Sequence, residues 1–198
     1  MLPLYIMENS GLSTILRSKN TVFTFKDVVL LWREDDSNLA KRRVNYYVKA
    51  GKLHSIRRGI YAKDKNYNRL ELATKIYTPS YISFETVLRK EGVIFQHYDT
   101  VFVASYVSRE IVADGQTYSY KKLKDIILAN PAGVIKREGF MEASKERAFM
   151  DALHLYKDYY FDNLGSINWS RCFDLLSVYG NKELEKKLNS YHKNACRS

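Results

Sequence analysis

Cysteine and histidine are scarce in this chain of 198 residues, and the few present form no pattern. Cys172 lies in a helix-like segment and Cys196 near the C-terminus, with no CxxC spacing and no histidine at ligand spacing, which argues against a zinc site. His54, His97, His154 and His192 are scattered. None stands with a Ser, Cys or carboxylate in a catalytic pattern, so each reads as an ordinary surface or core residue. Glycine-rich phosphate loops are missing, and no nucleotide cofactor is implied. No apolar run approaches the roughly eighteen residues that span a bilayer. The first ten residues, Met1 to Ser10, lack the basic stretch and small-residue cleavage site of a secretory signal. The expectation is a cytoplasmic protein, not an enzyme, with no cofactor and no membrane partner.

A more local absence carries further. Between Lys41 and Lys63 there is no Asp or Glu, while Lys41, Arg42, Arg43, Lys49, Lys52, Arg57, Arg58 and Lys63 are all basic. The formal net charge is +10, and residues 1–70 hold fourteen Lys+Arg against six Asp+Glu, so most of the excess falls in the first third. A solvated helix face normally mixes both signs, with Glu and Lys pairing four residues apart. This surface is built for a polyanion.

The basic residues fall on two kinds of local structure. Ala40, Val44, Tyr47 and Val48 follow a helical period and predict a buried stripe on a helix from Asn38 to Ala50. Ser37 is the expected N-cap, and Gly51 stands where a helix ends in a left-handed residue. The opposite stripe is Asn38, Lys41, Arg42, Asn45 and Lys49, bordered by Tyr46. These side chains can reach base edges and phosphates. After Gly51 the chain predicts a strand, a turn at Arg57-Arg58-Gly59 and a second strand, with Leu53, Ile56, Ile60 and Tyr61 available for a core. Upstream, Thr24 and Asp27 have the spacing of a capping box opening a helix from Phe25 to Trp32, and Leu12 to Ser18 predicts a shorter one. Helix, helix, turn, helix and basic hairpin is the order of a winged helix-turn-helix. The expected DNA contacts are therefore Asn38, Lys41, Arg42, Asn45, Tyr46 and Lys49 from the helix and Arg57 and Arg58 from the wing.

A hydrophobic share of 45% with 14% aromatics suffices for real cores. A first domain is expected over residues 1–78, closed by a connecting helix from Asn68 to Tyr77, and a second over 79–198, since Pro79 disfavours helix in the residue before it. In the second, Ser83 is expected to cap a short helix that stops at Gly92, and Thr100 to Tyr106 reads as a strand. Asp114-Gly115 signals a hairpin between Arg109–Ala113 and Gln116–Tyr120. A further short pair is expected around Glu138-Gly139. Helices follow from Ser144, from Trp169 to Tyr179 and from Lys182 to His192. The fold class expected is α+β, a winged helix-turn-helix followed by a mixed domain with a small antiparallel sheet. Nothing in that domain looks like an active site, since Glu146 and Asp151 point to different helix faces. Lys121, Lys122, Lys124, Lys136 and Arg137 read first as a scattered solvated face and second as a surface for RNA or a protein partner.

Three strings resemble a known family. Leu53-His54-Ser55-Ile56-Arg57-Arg58-Gly59-Ile60-Tyr61 is similar to the wing of the AbiEi antitoxins, the antitoxin half of bacterial abortive-infection toxin–antitoxin systems. The stretch from Tyr81 to Val93 resembles the opening of that family's second domain, and Glu142 to Leu153 a later helix. Lys145 departs from the proline that many members carry there. The ordered set covers roughly residues 20–160. It implies a repressor that binds promoter inverted repeats in double-stranded DNA and neutralises a partner nucleotidyltransferase toxin. A solitary winged-helix regulator, with a ligand-sensing or dimerising second domain, is the competing expectation.

Overall fold

The computed structural model describes residues 4–195, with side chains from Gly11 onward, so Cys196 and the whole Met1–Ser10 stretch lie outside the described side chains. The chain divides into two compact units, the second starting at Tyr77, just ahead of the boundary expected at Pro79.

The first unit runs α1 (Leu4–Arg17), β1 (Val22–Thr24), α2 (Phe25–Trp32), α3 (Ser37–Lys49), β2 (His54–Arg57), β3 (Ile60–Ala62) and α4 (Arg69–Ile76). Its three strands form an antiparallel sheet in the order β1-β3-β2. The Thr24 side chain accepts from the Asp27 amide and Asp27 accepts in return from the Thr24 amide, so the expected capping box fixes where α2 begins. The core joins Ile15, Phe23, Val28, Val44, Tyr47 and Leu53, one apolar side chain or more from each of α1, β1, α2 and α3. Each such side chain contributes about 1.5–3 kcal/mol by leaving water. On α4, Glu71 is buried and accepts from both the amide (2.8 Å) and the hydroxyl (2.7 Å) of Thr21, which ties α4 to the start of β1.

The second unit continues β4 (Ser80–Ile82), α5 (Phe84–Lys90), β5 (Val101–Ser105), β6 (Arg109–Ala113), β7 (Gln116–Lys122), α6 (Asp125–Leu128), β8 (Val134–Lys136), β9 (Met141–Ala143), α7 (Lys145–Leu155), α8 (Trp169–Asp174), α9 (Leu176–Tyr179) and α10 (Lys182–Ala195). Both predicted hairpins are present, β6–β7 and β8–β9. The sheet is larger than the small antiparallel one expected. It has six strands in the order β6-β7-β5-β4-β9-β8, and the pairs β5·β7 and β4·β9 are parallel. The two hairpins become one sheet through β4, a strand of three residues with no pattern to announce it, which pairs antiparallel with β5 and parallel with β9. The single helix expected from Trp169 to Tyr179 is broken between α8 and α9 at Leu175.

A buried polar network holds this unit together. Arg147 on α7 is completely buried and is held above its ordinary pKa, because Asp151 and the tyrosines around it outweigh the effect of burial. Its Nε donates to Asp151 (3.2 Å), and its Nη atoms donate to Tyr81 Oη and to the carbonyls of Ile127 and Ala132 (2.9, 2.7 and 2.6 Å). Asp151 also accepts from Tyr81, Ser83 and Tyr179 (3.0, 2.7 and 2.6 Å). Ser83 therefore does not cap α5 with its side chain as the sequence suggested, because its hydroxyl is taken by Asp151. Ser144 does cap α7, accepting from the Arg147 amide.

Candidate nucleic-acid interface

The helix predicted over 38–50 is α3, and its two faces separate as the sequence periodicity requires. Ala40, Val44 and Tyr47 are buried and Val48 is half-buried against the same core. Asn38, Lys41, Arg42, Asn45, Tyr46 and Lys49 are all exposed. The N-cap is Asp36 rather than Ser37. Its carboxylate accepts from the amides of Asn38 (2.8 Å) and Leu39 (3.2 Å), where a negative charge meets the positive end of the helix. Those two amides hold the Asp36 carboxyl below the usual carboxylate range.

Arg43 does not belong with the free basic residues. Its guanidinium lies 4.6 Å from the Trp32 ring centre and 3.3 Å from Glu34. Trp32 in turn donates from Nε1 to the Gly11 carbonyl (2.8 Å). Gly11, Trp32 and Arg43 thus clamp α1, α2 and α3 into fixed relative positions. The turn between α2 and α3 closes on Arg33, a left-handed residue (φ 50°), whose amide and that of Glu34 bond back to Leu30 and Val29.

The hairpin turn falls at Arg58-Gly59, with Gly59 at φ 77°. Arg57 and Arg58 are exposed, Leu53 and Ile60 are buried, and Ile56 and Tyr61 are half-buried. The turn is anchored: the Gly59 carbonyl accepts from the amide of Phe25 (2.8 Å), the first residue of α2. The two arginines are therefore held beside the N-terminus of α2. Lys41 lies on the same side, its ammonium 5.9 Å from the Phe25 ring centre. Asp27 in the first turn of α2 is braced by Lys75 of α4 (2.7 Å). Burial would raise its carboxyl, but the Lys75 hydrogen bond and the Thr24 amide hold it below the usual range. The eight residues predicted to meet DNA are thus exposed on one helix face and one anchored turn, with no carboxylate among them.

The five basic residues noted in the second unit are not gathered into one patch. Lys121 and Lys122 are on β7 and Lys136 on β8, with β5, β4 and β9 between the two strands. Lys121 lies over the Phe102 ring, and Arg137 is engaged by Glu142 (2.8 Å) together with Lys90. Among the described residues no cluster of three or more His, Cys, Asp or Glu is placed to share a metal ion. Nor is any helix among them long and apolar enough to cross a membrane.

The Arg147–Asp151 network is not announced by any motif in the sequence. The signals available were the i, i+4 spacing of Arg147 and Asp151 and the Tyr81-Ile82-Ser83 string, which supplies two of the hydroxyls on Asp151. Two of the three strings that carry the family resemblance therefore meet in the core.

No protein-family model and no curated protein matches the chain, so the AbiEi resemblance stands on those strings alone. Among solved structures the chain is similar to the RV2827C protein from Mycobacterium tuberculosis, at 12% identity over 96% of this chain and 78% of that one, with a TM-score of 0.47. That likeness is too loose to carry an argument about function.

Proposed function

We propose that the protein binds double-stranded DNA as a winged helix, with α3 in the major groove and the β2–β3 turn as the wing. The observation that carries this reading is the split of α3: a face of Ala40, Val44 and Tyr47 sealed in the core, and a face of Asn38, Arg42, Asn45 and Lys49 left in solvent with no acidic residue. The element order α1-β1-α2-α3-β2-β3, with the recognition helix braced by the one before it, supports the same reading. Arg42 lies at the centre of the exposed face, where a guanidinium forms two bonds to guanine, and Asn38 and Asn45 flank it with amides suited to adenine. Lys41, Lys49, Arg57 and Arg58 hold phosphates or the neighbouring minor groove, and Tyr46 covers the edge of the interface.

On the resemblance of its strings, we propose further that the protein is an AbiEi-type antitoxin. It represses its own operon through promoter inverted repeats, and it neutralises a partner nucleotidyltransferase toxin through the second unit. Two experiments separate these halves. A gel-shift titration with the DNA upstream of the gene, against a scrambled duplex, gives a preferred complex if the first half is right and equal binding if it is wrong. Co-expression of the adjacent gene with a full-length Arg42→Ala/Arg58→Ala protein reads the second half. Growth arrested by the adjacent gene and restored by this variant supports toxin neutralisation without DNA binding. A harmless adjacent gene overturns it and leaves a solitary regulator.

A further inference from the structure

The second unit carries an open cleft of about 930 Å³ lined by aromatic rings and two carboxylates. Its wall is formed by Asp158, Tyr159, Tyr160, Phe161, Asp162 and Tyr191 with their neighbours, and among its described lining residues there is no Lys, Arg or His. In a protein of net charge +10 this is a place where a cation is welcome.

The cleft has a firm floor. Val93 O accepts from the amides of Asp162 and Asn163 (3.0 Å each), and Asp162 Oδ2 accepts from the Phe95 amide (2.8 Å), so the 93–95 and 158–163 loops are clipped together. Behind them Phe161 packs on Phe149 (4.7 Å), Tyr159 (4.8 Å) and Tyr191 (5.5 Å), and the Tyr191 hydroxyl donates to the Tyr159 carbonyl. Beside these contacts two large aromatic side chains stand in solvent, Tyr160 at 80% exposed and Phe95 at 68%. Exposed rings beside a cleft are what binding surfaces use as anchors, since they offer large apolar area for little loss of side-chain freedom.

We infer that this cleft docks an arginine side chain presented by a partner protein. A guanidinium stacks on tyrosine and meets a carboxylate with two parallel hydrogen bonds, and it sheds water more readily than an ammonium. The aromatic rim fits a protein segment around that arginine, whereas a nucleic-acid backbone would be repelled by Asp158 and Asp162. The inference goes beyond DNA recognition and does not depend on it.

A display library of randomised twelve-residue peptides, panned on the full-length protein, tests this. Wild type should enrich sequences bearing arginine above both lysine and acidic residues. Tyr160→Ala and Asp158→Asn change exposed side chains outside the clip, and each should weaken the selected peptides by about threefold or more, within the range of a stacked or paired guanidinium. No enrichment, enrichment without arginine, or equal binding by both variants overturns the proposal. Duplex binding, measured on the same preparations, reports separately on α3 and the wing.

Discussion

Replacing Arg147 by alanine removes a charge that no solvent reaches. The side chain is 0% exposed, and its loss leaves Asp151, also 0% exposed, without its cation. Taking away one partner of a buried ion pair costs about 3–5 kcal/mol. The carbonyls of Ile127 and Ala132 lose their donors as well, each worth about 1 kcal/mol unless water enters the space. Against a typical total of about 5–15 kcal/mol, this brings the second unit close to unfolding. Urea denaturation followed by circular dichroism gives the size of the loss, and hydrogen exchange read peptide by peptide assigns it to residues after Tyr77. Arg147→Lys keeps the charge, but an ammonium cannot reproduce the planar fork that reaches Asp151, Tyr81 and two carbonyls, so it restores only part. A loss below about 1 kcal/mol for Arg147→Ala, or full recovery by lysine, would refute the reasoning.

Other consequences are as direct. Gly133 sits at φ 72°, and a Cβ there would meet the Arg147 Cβ at 2.9 Å, so Gly133→Ala adds backbone strain of about 1 kcal/mol or more to a steric push on the same helix and should lower the thermal midpoint. Asp27 has a depressed pKa in the folded state, so its stabilising effect is complete above about pH 4 and is lost as the pH falls through the folded value. The midpoint difference between wild type and Asp27→Asn should therefore be clear at neutral pH and shrink near pH 3; a difference that persists in acid contradicts the Lys75 brace. Arg43→Ala removes the packing on Trp32 and the bond to Glu34 without touching the exposed face of α3, so it should lower stability more than it changes the preferred DNA sequence, as read by denaturation and gel shift in parallel.

The first unit was largely legible because its signals are local. Thr24 and Asp27 cap α2, the apolar stripe at 40, 44, 47 and 48 orients α3, and Arg58-Gly59 closes a two-residue turn. What could not be read there depends on how the chain turns between α2 and α3. Arg43 looks like any other basic residue on α3 until Trp32 and Glu34 are brought beneath it. Asp36 takes the cap from Ser37 only because the preceding turn, closed by the left-handed Arg33, aims its carboxylate at the first amides. In the second unit the two hairpins were visible from Asp114-Gly115 and Glu138-Gly139, but β4 has three residues and no alternation to announce it. The parallel pair it forms with β9, and the Tyr81 hydroxyl it delivers to Asp151, are tertiary facts.

The measurement that bears most directly on the central claim is a titration of duplex DNA with wild type, Arg42→Ala and Arg57→Ala/Arg58→Ala protein over a range of salt. If α3 and the wing form the interface, Arg42→Ala costs about 1–3 kcal/mol on the preferred sequence and relaxes the choice at one position. The wing variant weakens all sequences alike and flattens the dependence of log affinity on log salt by about 0.9 for each phosphate it no longer neutralises. Affinity and salt slope unchanged in both variants would place DNA elsewhere or nowhere on this protein.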